Sequence, residues 1–347
     1  MKRNAQQMGS TVPNSLVKNH TPHSEPGFVT NLNSFLASTE GTSTELVPIT
    51  KEGEMPQKRF YRSRAHCNPL SFNDTFEYPS KPNGYDWTAD HYPNHPDKEK
   101  DNCTVCPTIL DVGCGFGGLT IKLGTLCPEE TILGMEIRAK VCEYVRLRIL
   151  AERKSSSQTS PSHENTSVMR TNSMKQLPNW LQKNTLNKIF FCFPDPHFKA
   201  KNHKRRIVSD VLLTEYAYFL KPGALIYCIT DVKELHEWTE ERLERHRWFE
   251  RRTDEENDAD QCVAAMRVET EEGKKVARGE GCAGSIKYFC VYRKREMVGE
   301  VDLLEDIKNA PVVEERQHQE QPNKKKKKEK ELEKVKVKEK EKEETKS

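Results

Sequence analysis

The sequence predicts an open, mostly parallel α/β sheet with helices on both faces. Three observations carry that prediction. Short apolar runs alternate with helical patterns through the middle of the chain, the first run leads into a glycine-rich turn that opens a helix, and the second closes on a glutamate. Strands that alternate with helices need parallel crossovers, and ligands in such sheets bind at the carboxyl ends of the strands.

The elements follow in order. TILDV at 108–112 reads as a buried strand, and GGLTIKLGTL after it as a helix. TILGMEI at 131–137 is a second strand, and RAKVCEYVRLRILAER a helix whose apolar residues Val141, Tyr144, Val145 and Leu147–Leu150 recur at helical spacing. SVMRT at 167–171 is a weaker third strand, KIFFCF at 188–193 a fourth and ALIYCIT at 224–230 a fifth, with a helix expected over 206–220. KELHEWTEERLERH makes a further helix, and IKYFCVYRK at 286–294 a late strand.

Around this core the composition changes. Residues 1–55 are rich in Ser, Thr, Asn and Pro without periodicity and read as a disordered leader. KSSSQTSPSHENTS at 154–167 has the same character and reads as a surface insertion within a single domain spanning 56–300. Residues 301–347 form a Lys/Glu-rich tail; its last 24 residues hold 12 Lys and 7 Glu, leaving 44 basic against 46 acidic residues elsewhere. The body of the chain is therefore near neutral, and nucleic-acid affinity there must come from local clusters. No stretch approaches the roughly 18 apolar residues that cross a bilayer, and MKRNAQQMGS lacks the apolar heart of a secretory signal. A soluble intracellular chain with reduced thiols is expected. Eleven Cys is an odd number, and Cys103 with Cys106 forms a lone CxxC without a second ligand pair, so no metal ligands are assigned.

Asp111-Val-Gly113-Cys-Gly115-Phe-Gly117-Gly118 sits between strand and helix, and Glu136 closes the second strand. Glycines allow a sharp turn and close backbone approach, while an acidic residue there accepts ribose hydroxyls. This half cannot choose its cofactor alone. Gly113, Gly115 and Gly118 satisfy the dinucleotide spacing, and with Asp111 they equally satisfy the pattern of S-adenosylmethionine sites.

The fourth strand ends in Phe193-Pro194-Asp195-Pro196-His197. Two prolines restrict the backbone around Asp195 and preorganise its carboxylate, as suits a methyl-transferring site on a nucleotide more than a dehydrogenase. Five fixed cations and two histidines follow within ten residues, among them Lys199, Lys201, His203, Lys204, Arg205 and Arg206. Beside a ligand-binding edge, that density suits phosphates. Lys58-Arg59-Phe60-Tyr61-Arg62-Ser63-Arg64 interleaves cations with aromatics, and is open to reading as an RNA grip, a flap over the site or a flexible arm.

These residues resemble one family, the eukaryotic tRNA (guanine-N7)-methyltransferases, TrmB-like class I enzymes with a Rossmann-like fold. QKRFYRSRAHCNP, DVGCGFGG, LGMEIRAKV, RTNSMKQLPN, FFCFPDPHFKAKNHKRR, LLTEYAYFLKPGALIYCITDVKELHEW and TEEGKK carry the likeness in that order, over about residues 57–295. The resemblance implies a seven-stranded methyltransferase sheet and S-adenosylmethionine as donor. It implies donor contacts at Gly113, Glu136, Ile137, Arg138, Asn172, Ser173 and Cys192, with Ser173 and Cys192 standing where the family commonly has Ala and Leu. It puts Asp195 at the catalytic acid and Thr270, Glu271 and Glu272 on a late loop over cofactor and base, although TEEGKK also suits a plain helix start capped by Thr270. The implied substrate is the variable-loop guanosine 46 of tRNA. The implied partner is a WD-repeat propeller subunit, docked on helix 206–220 or on KELHEWTEERLERH, and the implied location is the nucleus. A methyltransferase acting on an exocyclic base amine is the nearest rival; a non-catalytic RNA-binding protein is a more distant one.

Overall fold

The computed structural model describes residues 50–64, 68–71, 76–98, 105–156, 162–279 and 286–296. Most of the expected leader, the heart of the Ser-rich insertion, the Lys/Glu tail and Cys103 lie outside the described residues.

Seven strands form one sheet: β1 Ile109–Val112, β2 Ile132–Glu136, β3 Thr166–Arg170, β4 Leu186–Cys192, β5 Leu220–Thr230, β6 Phe249–Arg251 and β7 Tyr288–Lys294. Their order is β3-β2-β1-β4-β5-β7-β6. The first five pair in parallel, and β7 runs antiparallel between β5 and β6. The helices are α1 Trp87–Asp90, α2 Gly118–Leu126, α3 Ala139–Ser155, α4 Ser173–Trp180, α5 Asp210–Phe219, α6 Lys233–Arg245, α7 Asp254–Asp258, α8 Gln261–Glu269 and α9 Glu271–Ala277, with 3-10 turns at Lys58–Tyr61 and Ala200–Arg205.

Alternation along the strands gives the sheet two buried faces. Leu110, Val112, Leu133, Met135, Ile189 and Phe191 face one layer, with Leu177, Leu213 and Tyr216 from α4 and α5. Ile109, Ile132, Phe190 and Tyr227 face the other, against Leu119 and Leu123 of α2 and Val263 and Met266 of α8. Phe190 stacks on Tyr227 across the β4–β5 ladder, centroids 4.3 Å apart. Burying each such side chain contributes roughly 1.5–3 kcal/mol.

This geometry positions the site through register. Val112 pairs with Met135 on one side and Phe191 on the other, so β1, β2 and β4 finish level. Chain order reverses there, with β2 and β3 on one side of β1 and β4 and β5 on the other. That is the switch point at which open α/β sheets leave a crevice.

Several boundaries move. The helix expected over 206–220 begins only at Asp210, because Arg206 and Ser209 are extended, and β5 starts at Leu220, four residues early. The insertion expected at 154–167 is narrower: Lys154 and Ser155 continue α3, and Thr166 and Ser167 belong to β3. Ahead of residue 56, Tyr61 donates to Thr50 Oγ1 and Arg146 pairs with Glu52, so the described fold begins before the expected domain start. β6 has three residues, too few for a periodicity to register. No helix among the described residues is long and apolar enough to cross a membrane.

Candidate active site

A cavity of about 220 Å³ opens at the level ends of β1, β2 and β4. Its wall includes Gly113, Glu136, Ile137, Arg138, Asn172, Ser173, Cys192, Asp195 and Arg205. One place therefore gathers nine sequence-assigned residues from five separate segments.

The glycine turn is held by backbone bonds: Gly113 and Cys114 both donate to the Met135 carbonyl, at 2.8 and 3.0 Å. Gly113 is left-handed, φ +73°, and nothing in the protein would meet a Cβ placed on it. The turn therefore presents bare backbone to the cavity, as close approach of a nucleotide demands. Gly118 answers a different need, since a Cβ there would run into the Glu269 carbonyl that packs α8 against α2. Asp111 does not line the cavity. It is buried, accepts from Thr120 Oγ1 at 2.6 Å and ties β1 to α2 behind the turn. Burial raises its carboxyl to about 6, against the Thr120 hydrogen bond.

Glu136 is buried at the end of β2. Its Oε1 accepts from the backbone N and Nε of Arg138, both 3.0 Å, and its Oε2 from the Arg138 guanidinium at 2.8 Å. Three of roughly four acceptor sites on the carboxylate are thus engaged by one neighbour. Gripping both hydroxyls of a ribose requires Arg138 to release at least one of them. Asn172 caps α4 by accepting from Met174 N and donates through Nδ2 to the Pro69 carbonyl at 2.7 Å. Its side chain ties the N-terminal segment to the cavity wall. Cys192 stands half-buried on the cavity wall, and burial pushes its thiol well up, so it remains neutral.

Asp195 is 31% exposed at the side chain, with His197 Nδ1 3.9 Å from its Oδ2. Phe193 (φ +51°) and His197 (φ +46°) are left-handed, flanking the Pro-Asp-Pro turn. Neither is glycine. Strain of this kind persists only where the surroundings over-determine it, and it concentrates at working sites. In sequence His197 stands first in the basic run. Its left-handed backbone brings it to the cavity instead, two residues from Asp195; the i, i+2 spacing across a proline was the available signal.

The basic patch divides. Lys199, Lys201 and Lys204 are exposed, as are Arg59, Arg62 and Arg64 of the N-terminal segment, and Arg205 lines the cavity. Arg206 corrects the sequence reading of it as an RNA ligand: it is 1% exposed. Its Nε donates to Pro196 O at 2.8 Å, its Nη2 to Glu234 at 2.8 Å, and its guanidinium lies 4.6 Å from the Trp238 ring centre. His203 turns the same way, edge-on to Trp238 and 3.7 Å from Glu234.

Thr270, Glu271 and Glu272 do not line the cavity. Thr270 caps α9 by accepting from Gly273 N. Glu271 pairs with Lys58, whose ammonium lies 4.3 Å over the Phe116 ring, so the segment rests on the outer side of the glycine turn. Glu272 is exposed and pairs with Lys275.

A family model described as "Putative methyltransferase" matches residues 106–283. The chain is 50% identical over 261 residues to a tRNA (guanine-N(7)-)-methyltransferase of Yarrowia lipolytica, covering 75% of this chain and 85% of that one. It is equally 50% identical over 239 residues to the enzyme so named in Arabidopsis thaliana, covering 69% and 93%. This chain belongs to the tRNA (guanine-N7)-methyltransferase family. Membership of a methyltransferase family, with this sheet order, implies a sulfonium donor at the glycine turn. The residues fit that donor: a bare glycine backbone, the buried Glu136 carboxylate now held by Arg138, and an uncharged Cys192 share one cavity with Asp195. The seven-stranded, mostly parallel class I methyltransferase sheet that the resemblance implied is present, and within it β7 runs antiparallel.

Proposed function

We propose that this chain transfers the methyl group of S-adenosylmethionine to N7 of guanosine 46 in the variable loop of tRNA, as catalytic subunit of a nuclear heterodimer with a WD-repeat protein. The observation that carries the reading is the convergence of Gly113, Glu136, Asn172, Cys192 and Asp195 on one cavity at the strand ends. The names of its relatives support the base, the atom and the class of RNA.

When bound, S-adenosylmethionine supplies an electrophilic methyl carbon. Guanine N7 carries an in-plane lone pair and no proton, so the protein supplies alignment and needs no base. The new N–C bond forms from that lone pair as the C–S bond breaks, and positive charge passes to the purine. Asp195, in its proline-stiffened turn, stabilises that charge and accepts from the guanine N1 and N2 hydrogens. Exposed Lys199, Lys201 and Lys204 hold backbone phosphates by charge and shape more than by sequence. Exposed Arg59, Arg62 and Arg64 of the N-terminal segment add further phosphate contacts.

The test is incubation of the chain with labelled donor and unmodified tRNA, with and without the propeller subunit, followed by borohydride and aniline cleavage. Cleavage at the variable-loop guanosine supports the proposal. Label incorporated without cleavage points to an exocyclic amine and overturns it.

A further inference from the structure

Away from the cavity, α6 and the antiparallel strands assemble a cluster of zinc-type donors. His236 and Glu240, four residues apart on one face of α6, put Nε2 and Oε2 3.2 Å from each other. The buried Cys290 of β7 completes a trio whose donor atoms all lie within 4.8 Å of one another. Cys228, also buried, stands directly opposite Cys290 in the β5–β7 ladder. We propose that His236, Glu240, Cys290 and Cys228 form a structural site for zinc.

The donor set suits that ion. Zinc takes four ligands from thiolate, imidazole and carboxylate at about 2.0–2.3 Å, and a closed set of protein ligands marks a structural site. His236 Nε2 and Glu240 Oε2, 3.2 Å apart, already stand at about the spacing of two ligands on such a tetrahedron. The outer contacts are those that orient ligands. Arg251 lies 2.8 Å from Glu240 Oε1, leaving Oε2 turned to His236. Tyr288 stacks on the His236 ring, centroids 5.6 Å apart and planes 27° from parallel. Neighbours that fix ring and carboxylate in this way govern metal affinity. A small cavity lined by Cys228, His236, Thr230 and Thr239 adjoins the cluster and reaches Pro194. The ion would therefore fasten α6 and β7 beneath the turn that carries Asp195.

Proximity in sequence could not have indicated this site. The lone CxxC drew attention to Cys106, while these four donors come from three elements spread over 63 positions, Cys228 to Cys290.

The full chain, stripped with a chelator and titrated with cobalt as a spectroscopic substitute, tests the site. One equivalent is expected, with a thiolate-to-cobalt charge-transfer band and tetrahedral visible bands. Cys290→Ser should abolish the charge-transfer intensity or halve it, depending on whether Cys228 still binds, and Cys106→Ser should leave it unchanged. Glu240→Gln, at a partly exposed position, should weaken zinc affinity about tenfold or more and remove the rise in melting temperature that zinc gives the native chain. A spectrum without thiolate bands, bands lost with Cys106→Ser, or zinc affinity undiminished in Glu240→Gln would each overturn the proposal; the last holds even if Cys290→Ser does not fold.

Discussion

Arg206 donates its Nε hydrogen to the Pro196 carbonyl at 2.8 Å from an almost fully buried guanidinium, and so braces the turn that carries Asp195 from behind. Its second arm reaches Glu234 of α6, and Trp238 lies against its plane. A cation that looks like a phosphate ligand in sequence is a strut in the fold.

Arg206→Ala should therefore lower stability by on the order of 3 kcal/mol, because a buried acceptor loses its donor and the space is not refilled. Turnover per folded molecule should drop while the salt dependence of tRNA binding stays as it was. Arg206→Lys should rescue little, since an ammonium cannot serve Pro196 and Glu234 through one planar fork. Denaturant melts beside filter-binding salt series separate these outcomes; a changed salt slope with unchanged melting would restore the phosphate role.

The exposed lysines should behave in the opposite way. Lys199→Glu and Lys204→Glu should weaken binding of many tRNAs alike, and reduce the slope of log affinity against log salt by about one per lost phosphate contact. Melting curves should not move by more than about 0.5 kcal/mol. Binding that weakens for some tRNAs only would argue for base contacts instead.

Asp195→Asn removes the charge and keeps the shape of the turn. Loss of about 100-fold or more in kcat is expected, with donor affinity by calorimetry unchanged, in line with other losses of transition-state charge stabilisation. Undiminished turnover would remove Asp195 from the chemistry. Equal loss of donor affinity would make it a cofactor ligand.

Two buried groups should shape acid stability with opposite signs. His91 is fully buried, 2.8 Å from Ser167 Oγ, and burial, with Arg153 adding to it, pushes its imidazole down to about 3. From about 6.5 downward the unfolded chain binds a proton that the folded chain refuses, so this group costs stability as pH falls. Asp111, raised by burial to about 6, does the reverse. Between about 4 and 6 the folded chain keeps a proton that the unfolded chain has released, so stability falls as pH rises. Each group contributes at most about 1.4 kcal/mol per pH unit, and over that window the two offset each other. Asp111→Asn should unmask the histidine and steepen acid unfolding, while His91→Gln should flatten it. Urea midpoints measured from pH 4.5 to 7 would run parallel for all three proteins if these couplings are absent.

Much of the fold was legible because its signals are local. A buried strand reads as a run, an amphipathic helix as a period, and the glycine turn as a run of residues that only a sharp bend explains. The five parallel strands and the turn between Val112 and Gly118 stand where those signals put them, within a few residues. The helix expected from 206 was displaced because Arg206 is committed to Pro196, a tertiary bond with no imprint on periodicity. β6 escaped notice because three residues carry no period.

The sequence by itself determined the five parallel strands, the glycine turn and the chemistry of the residues at the strand ends, since these depend on residue type and spacing along a short stretch of chain. Only the tertiary structure decided which charges face water and which are spent inside. Lys204 and Arg206 are two positions apart and alike on paper, yet one is exposed and the other sealed beneath a proline. Burial is a property of everything packed around a side chain, and the ladder opposition of Cys228 and Cys290 beneath His236 is likewise made by elements that meet only once the chain has folded.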